Sequence, residues 1–244
     1  MNDNRKKLLQ EIGITKDESL ITSKEWTELS KVAKLSEEFI EEFRNKVNWY
    51  VISEFQKLSE NFIRENRTLV LWEFISKDQI LSEEFIEEHK YFVNWVYICK
   101  FQTLSELFIK KFGKKVNWVY VCMYQKLSEN FIKEHKNVVI WSAISKFQKL
   151  SEEFIVKNKK MINWVELSLN ESLPETILNT NKKEINFDLV FIYREISFKN
   201  MKKLISRTTF VDLYDFKSSH LTKLEKREIQ KLLDIKNIFK RAHM

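Results

Sequence analysis

An all-α protein is predicted, built as an α-solenoid of about nine to ten short helical-hairpin repeats with degenerate capping units at both ends. Three observations predict it. The phrase LSEEFI, or a near copy, starts at Leu35, Leu58, Leu81, Leu104, Leu127 and Leu150. A tryptophan lies 14 residues after each leucine, at Trp49, Trp72, Trp95, Trp118, Trp141 and Trp164, and both series advance by 23 residues without a slip. The 244 residues contain only two glycines and one proline, too few for the chain reversals of a sheet-rich fold.

Residues 1–34 lack the phrase, yet Ile12 and Trp26 stand 23 residues before Leu35 and Trp49. They read as a degenerate N-terminal capping repeat, because an end unit meets water on one face and is released from the consensus. Residues 35–172 hold six regular repeats. In each, the Ser after the leucine is placed to cap a helix, and the glutamates that follow suit the positive end of its dipole. Leu35, Phe39 and Phe43 share one face, widened by Ile40. Asn48, Asn94, Asn117 and Asn163 precede their tryptophans and are placed to cap a second helix. Leu71 and Ile140 replace that Asn, which predicts an altered entry into two of the second helices.

The core expected from this pattern is Leu35, Phe39, Trp49, Leu58, Trp72, Leu81, Trp95, Leu104, Trp118, Leu127, Trp141, Leu150 and Trp164. Helices of about seven to ten residues are too short to persist alone in water, so stacking must supply the stability. On this pattern Trp95→Ala or Trp118→Ala is expected to cost about 3–5 kcal/mol.

Residues 173–244 keep the register while losing the phrase. Leu173 to Leu178 read LPETIL, with Pro174 at the capping position, and Asn186-Phe187 overlies Asn163-Trp164. One period later come Ile196 to Met201 and then Phe210. A closing helix is expected from Leu221 on, with Leu221, Leu224, Ile229, Leu232 and Leu233 as its apolar stripe. This region carries 15 Lys/Arg against 9 Asp/Glu, so nearly all of the chain's net charge of +7 lies there.

Candidate sites are few. Cys99 and Cys122 occupy the position held elsewhere by Ser53, Ser76, Ser145 and Ser168, and read as small packing residues rather than a disulfide. His89 and His135 stand where Phe43 and Phe112 stand in other repeats and read as edge-of-core residues, and His220 and His243 have no evident partner. With no Cys/His clustering at ligand spacing, no metal and no cofactor are predicted. The glutamates recur with the repeat, as capping and solvation require, so an enzyme is not expected.

Two charged surfaces remain. Glu37, Glu41, Glu60, Glu83, Glu87, Glu129 and Glu152 form a candidate acidic ridge able to dock on a basic groove. Lys199, Lys202, Lys203, Arg207, Lys223, Lys226, Arg227, Lys231, Lys240 and Arg241 form a basic C-terminal region able to meet a partner or a nucleic-acid backbone. There is no signal-peptide core and no apolar run of membrane-spanning length, so an intracellular, cytoplasmic, reducing location without a membrane partner is expected.

LSEEFI, VNW and the FQKLSE junction resemble tandem repeats in proteins of large DNA viruses, phages and some bacteria. The likeness runs from Leu35 to Trp164, with Asn where those repeats usually carry Asp before Trp. It implies a mobile-element or host-interaction origin and recognition of a macromolecular partner. The leading expectation is therefore a non-catalytic scaffold whose elongated helical-repeat surface binds a protein. The alternatives are an inhibitor that occupies the charged channel of a host nucleic-acid enzyme, such as a CRISPR effector or other ribonucleoprotein, and direct RNA or DNA binding through the basic C-terminal region.

Overall fold

The computed structural model describes residues 3–181, 183–209 and 216–242, with the side chains of 239–242 outside that description. Among the described residues every regular element is helical. The contacts divide the chain into two compact units, residues 1–117 and 118–244.

The first unit opens with α1 (Asp3–Glu11) and α2 (Ser23–Val32). α1 is stopped by Gly13 at φ 81°, where the Gly13 and Ile14 amides donate to the Gln10 and Leu9 carbonyls. Only a residue without Cβ adopts that left-handed turn at no cost. α2 starts in a reciprocal cap between Thr22 and Glu25. The regular hairpins follow as α3 (Glu37–Glu42) and α4 (Trp49–Phe55), α5 (Glu60–Glu65) and α6 (Trp72–Asp78), α7 (Glu83–Glu88) and α8 (Trp95–Phe101), with α9 (Glu106–Lys111) closing the unit. The second helices lie side by side, α2 on α4, α4 on α6 and α6 on α8.

The second unit continues the pattern with α10 (Trp118–Tyr124), α11 (Glu129–Glu134), α12 (Trp141–Phe147), α13 (Glu152–Lys157), α14 (Trp164–Ser168), α15 (Glu175–Thr180), α16 (Phe187–Tyr193), α17 (Phe198–Leu204) and α18 (Lys223–Ala242). Here α10 packs on α12, α12 on α14, α14 on α16 and α17 on α18. Tandem helical hairpins at a 23-residue period are thus the architecture of each unit.

The caps fall where the sequence places them. Ser36 Oγ accepts from the Phe39 amide at 3.1 Å, and Ser59, Ser82, Ser105, Ser128 and Ser151 repeat the bond. Asn48 Oδ1 accepts from Tyr50 and Val51, and Asn94 and Asn163 act alike. Leu71 and Ile140 give their helices no side-chain cap, yet the chain enters those helices at the backbone angles found at Asn48, so the altered entry expected there is absent. Pro174 occupies the cap position of α15 and gives it no side-chain cap.

Two expectations about the core are corrected. The centre of each repeat is an isoleucine next to the predicted phenylalanine: Ile40, Ile63, Ile86, Ile109, Ile132 and Ile155 are completely buried, as are Ile52, Ile75, Ile98 and Ile144 on the second helices. The predicted leucines and Phe39 are buried too. Trp49, Trp72, Trp95, Trp118, Trp141 and Trp164 are only half-buried, and Trp26 alone of the series is inside. Each indole sits at the rim because its N–H must reach a polar partner. Trp49, Trp72, Trp95, Trp141 and Trp164 donate to the carbonyl five residues upstream at 2.9–3.2 Å. Leu221, just before α18, and Ile229 and Leu233 along it are buried, but Leu224 is 74% exposed because it falls off the face that Ile229 and Leu233 define. Phe210 and His243 lie outside the described residues.

Candidate partner-binding surface

The side chains that join one repeat to the next explain which groups remain for a partner. Five glutamines that precede the repeat leucines, Gln56, Gln79, Gln102, Gln125 and Gln148, are buried. Gln102 shows the arrangement in full. Its Oε1 accepts from the Leu81 amide at 3.0 Å, and its Nε2 donates to the Ser76 and Gln79 carbonyls at 3.1 and 2.8 Å. Gln56 bonds Leu35, Ser30 and Ala33 in the same way, and Gln148 bonds Leu127, Cys122 and Gln125. Each of these three amides therefore bonds three backbone groups of the preceding repeat. Asn170 takes over at the end of the row by donating to Ser145 and Gln148. Arg194 follows, with Nη2 on the Leu173 carbonyl and Nη1 buried. Burial pushes the Arg194 guanidinium down from its ordinary pKa, against the pull of Glu175 and Glu171.

A second connection runs through the serines. Ser53 Oγ donates to the Trp49 carbonyl at 2.7 Å and accepts from the Leu71 amide at 2.9 Å, which ties the second helix of one repeat to the start of the next. Ser30, Ser76, Ser145 and Ser168 do the same. Cys99 and Cys122 accept through sulfur at a longer 3.4 Å, from Asn117 and Ile140. Both are free thiols and fully buried. Burial pushes the Cys99 thiol up to about 11 and Cys122 upward as well, with the donating amides opposing. A thiolate is the reactive form, so neither cysteine is expected to react with a thiol reagent such as dithiobisnitrobenzoate in the native protein. Both should react once it is denatured, and rapid native labelling would contradict this.

The acidic ridge is largely absorbed by capping. Glu37 accepts from the Ser59 amide and hydroxyl at 2.5 and 3.0 Å, so a glutamate in one helix caps the first helix of the next repeat. Glu60, Glu83 and Glu129 cap Ser82, Ser105 and Ser151 likewise. Glu152 bonds the Thr176 hydroxyl instead, because Pro174 has no N–H to offer. Glu41 pairs with Arg44, and Glu87 with Lys111. These carboxylates are engaged within the chain, in caps and surface ion pairs. Glu175 extends the series onto Ser197. Burial works against its ionisation, but the bonds from Ser197 and Asn200 outweigh it and hold the carboxyl below its usual pKa.

The histidines are packing groups at the core edge. His89 stacks on Phe85 at 4.3 Å and Trp72 at 4.9 Å while Nδ1 donates to the Phe85 carbonyl, and His135 repeats this on Phe131 and Trp118. His220 Nε2 donates to the Ile196 carbonyl. Among the described residues no group of three His, Cys, Asp or Glu is placed to hold a metal ion, and no helix is long and apolar enough to cross a membrane.

The basic residues lie on the packed α17 and α18 and the turn after α17. Lys199, Lys203, Arg207, Lys223, Arg227 and Lys231 are exposed, Lys226 is half-buried, and Lys202 is paired with Glu228. The Lys240 and Arg241 side chains lie outside the described residues.

A row of rings remains that the sequence pattern did not single out. The residue before each buried glutamine faces outward, because the glutamine itself must turn inward to reach its backbone partners. In the first unit this position holds Phe55 and Phe101, 47% and 44% exposed, with Asp78 between them in sequence. In the second unit it holds Tyr124 and Phe147, 46% and 47% exposed. Lysines attend the rings: Lys31 Nζ lies 5.3 Å from the Phe55 centroid, Lys100 4.9 Å from Phe101 and Lys146 5.6 Å from Phe147. Between Tyr124 and Phe147 a groove of about 470 Å³ opens, floored by Leu127 and flanked by Met123, Lys126 and Lys149. Comparison with protein-family models, with curated proteins and with solved structures finds no match to this chain.

Proposed function

We propose that the protein is a non-catalytic binding scaffold whose helical-repeat surface recognises a protein partner. The observation that carries this reading is the half-exposed ring that recurs at one repeat position in each unit, Phe55 and Phe101 in the first and Tyr124 and Phe147 in the second, with a lysine beside Phe55, Phe101 and Phe147. Single exposed apolar residues need no explanation, but rings repeated on one register concentrate apolar area in the way that interface cores do.

The resemblance of LSEEFI and VNW to repeats of large DNA viruses, phages and some bacteria supports an origin in a virus, phage or other mobile element, with a host protein as the partner. Inhibition of a host nucleic-acid enzyme such as a CRISPR effector is one task of that kind. It gains no support from the acidic ridge, whose carboxylates are engaged in caps.

A second reading, nucleic-acid contact through α17 and α18, is favoured by the exposed Lys199, Lys203, Arg207, Lys223, Arg227 and Lys231, which carry no ion pair among the described residues. Affinity capture from host lysate with and without nuclease separates the two. A nuclease-resistant protein partner that is lost when the exposed rings are replaced supports the scaffold. Loss of all bound material after nuclease would overturn it in favour of nucleic-acid binding.

A further inference from the structure

We infer that the groove between Tyr124 and Phe147 takes a short, extended, acidic segment of the partner protein that carries an apolar side chain, an inference that rests on the scaffold reading above. The groove joins two kinds of surface. Its walls are two rings close to half exposed, and its floor is the buried Leu127. Its charged rim is Lys126 and Lys149, which are both exposed and have no carboxylate partner among the described residues. Lys146, above Phe147, is already paired with Glu166 at 3.3 Å, so the unneutralised charge is that of the rim. An occupant complementary to this surface buries an apolar group between the rings and places carboxylates against the two ammonium groups.

Size favours a peptide over a nucleic-acid strand. Packed helices of neighbouring repeats lie about 8–10 Å apart, a span filled by about three residues of extended chain at about 3.3 Å each. Grooves that track single-stranded nucleic acid hold about 4 or more nucleotides on successive stacking rings. The row in this unit has two rings on adjacent repeats, Tyr124 and Phe147, and is broken at Asn170, which is buried in the backbone bonds that end the glutamine series, before Tyr193 takes the position again. The polar groups of Gln148 are likewise committed to backbone, so recognition falls to the rings and the lysines.

The test is fluorescence anisotropy with a fluorescein-labelled peptide of alternating Glu and Asp around a central Phe, alongside a labelled oligouridine. The peptide is expected to bind saturably and to weaken about tenfold in Lys126→Glu/Lys149→Glu. It should weaken about fivefold in Tyr124→Ala/Phe147→Ala. The unfolding midpoint should stay within about 2 °C of wild type in the lysine variant, whose side chains are exposed, and the ring variant should keep the wild-type far-UV circular dichroism at the assay temperature. Absence of saturable peptide binding, or binding indifferent to both variants, overturns the inference. So does an oligouridine that binds more tightly than the peptide and responds to the same substitutions. The two readings fail differently in the lysate capture. A nuclease-resistant partner held equally by wild type and Lys126→Glu/Lys149→Glu removes the groove and leaves the scaffold, whereas no nuclease-resistant partner for either protein removes the scaffold reading itself.

Discussion

Gln102→Met is expected to destabilise the protein by about 3–4 kcal/mol, although methionine nearly matches the glutamine in length and volume. The loss comes from polar groups left behind rather than from packing. Removing the amide strands the Leu81 N–H and takes one partner each from the Ser76 and Gln79 carbonyls, in a position that is 6% exposed. A buried group without its partner costs about 1–3 kcal/mol, and three are touched, with partial relief for carbonyls that keep a helical bond. Urea unfolding followed by far-UV circular dichroism measures the loss. Hydrogen exchange at the Leu81 amide gives a second reading, since that N–H should lose its protection locally in the variant. A change below about 1 kcal/mol with the amide still protected would mean that backbone shifts or water replace the glutamine, and that the series does not hold the repeats in register.

What the sequence made legible follows from the kind of physics involved. Helix starts were readable because capping is local: Ser36, Asn48 and their equivalents act on amides two or three residues away. The period was readable because every repeat solves the same burial problem. The glutamine series was overlooked because its bonds reach 21 to 26 residues back, to backbone atoms of another repeat that no window of hydropathy describes. Its signal was nonetheless present, as one polar residue type at the same position in five consecutive repeats, from Gln56 to Gln148. Capping was the right frame for Glu37 and its counterparts, but the helix they cap was not legible for the same reason, since their carboxylates serve a helix 22 residues further on. The exposed rings were hidden by composition, because a phenylalanine such as Phe101 and a buried one such as Phe108 look alike until the neighbouring glutamine fixes which way the chain turns.

Ile98→Ala is expected to cost more than Trp95→Ala, an order opposite to the size of the side chains. Ile98 is fully buried at the centre of α8, so its truncation leaves a closed cavity and should cost about 3–4 kcal/mol, from lost transfer energy and from contacts that the surroundings cannot remake. The Trp95 indole is larger, and it stacks on Phe108 at 6.3 Å and Phe112 at 5.3 Å and donates to the Lys90 carbonyl. It is partly open to water, however, so its removal exposes a hollow that solvent enters and frees a carbonyl that solvent can bond. A loss of about 2–3 kcal/mol follows, at or below the lower end of the 3–5 kcal/mol expected for a tryptophan placed at the centre of the core. The comparison is made by urea unfolding of the two single variants, with Ile86→Ala as a second central position that should match Ile98→Ala. If Trp95→Ala proves the most damaging of the three, the rim indoles rather than the central isoleucines are the main store of stacking energy, and the partly exposed position of the tryptophans conceals a larger share of the interface than its burial indicates.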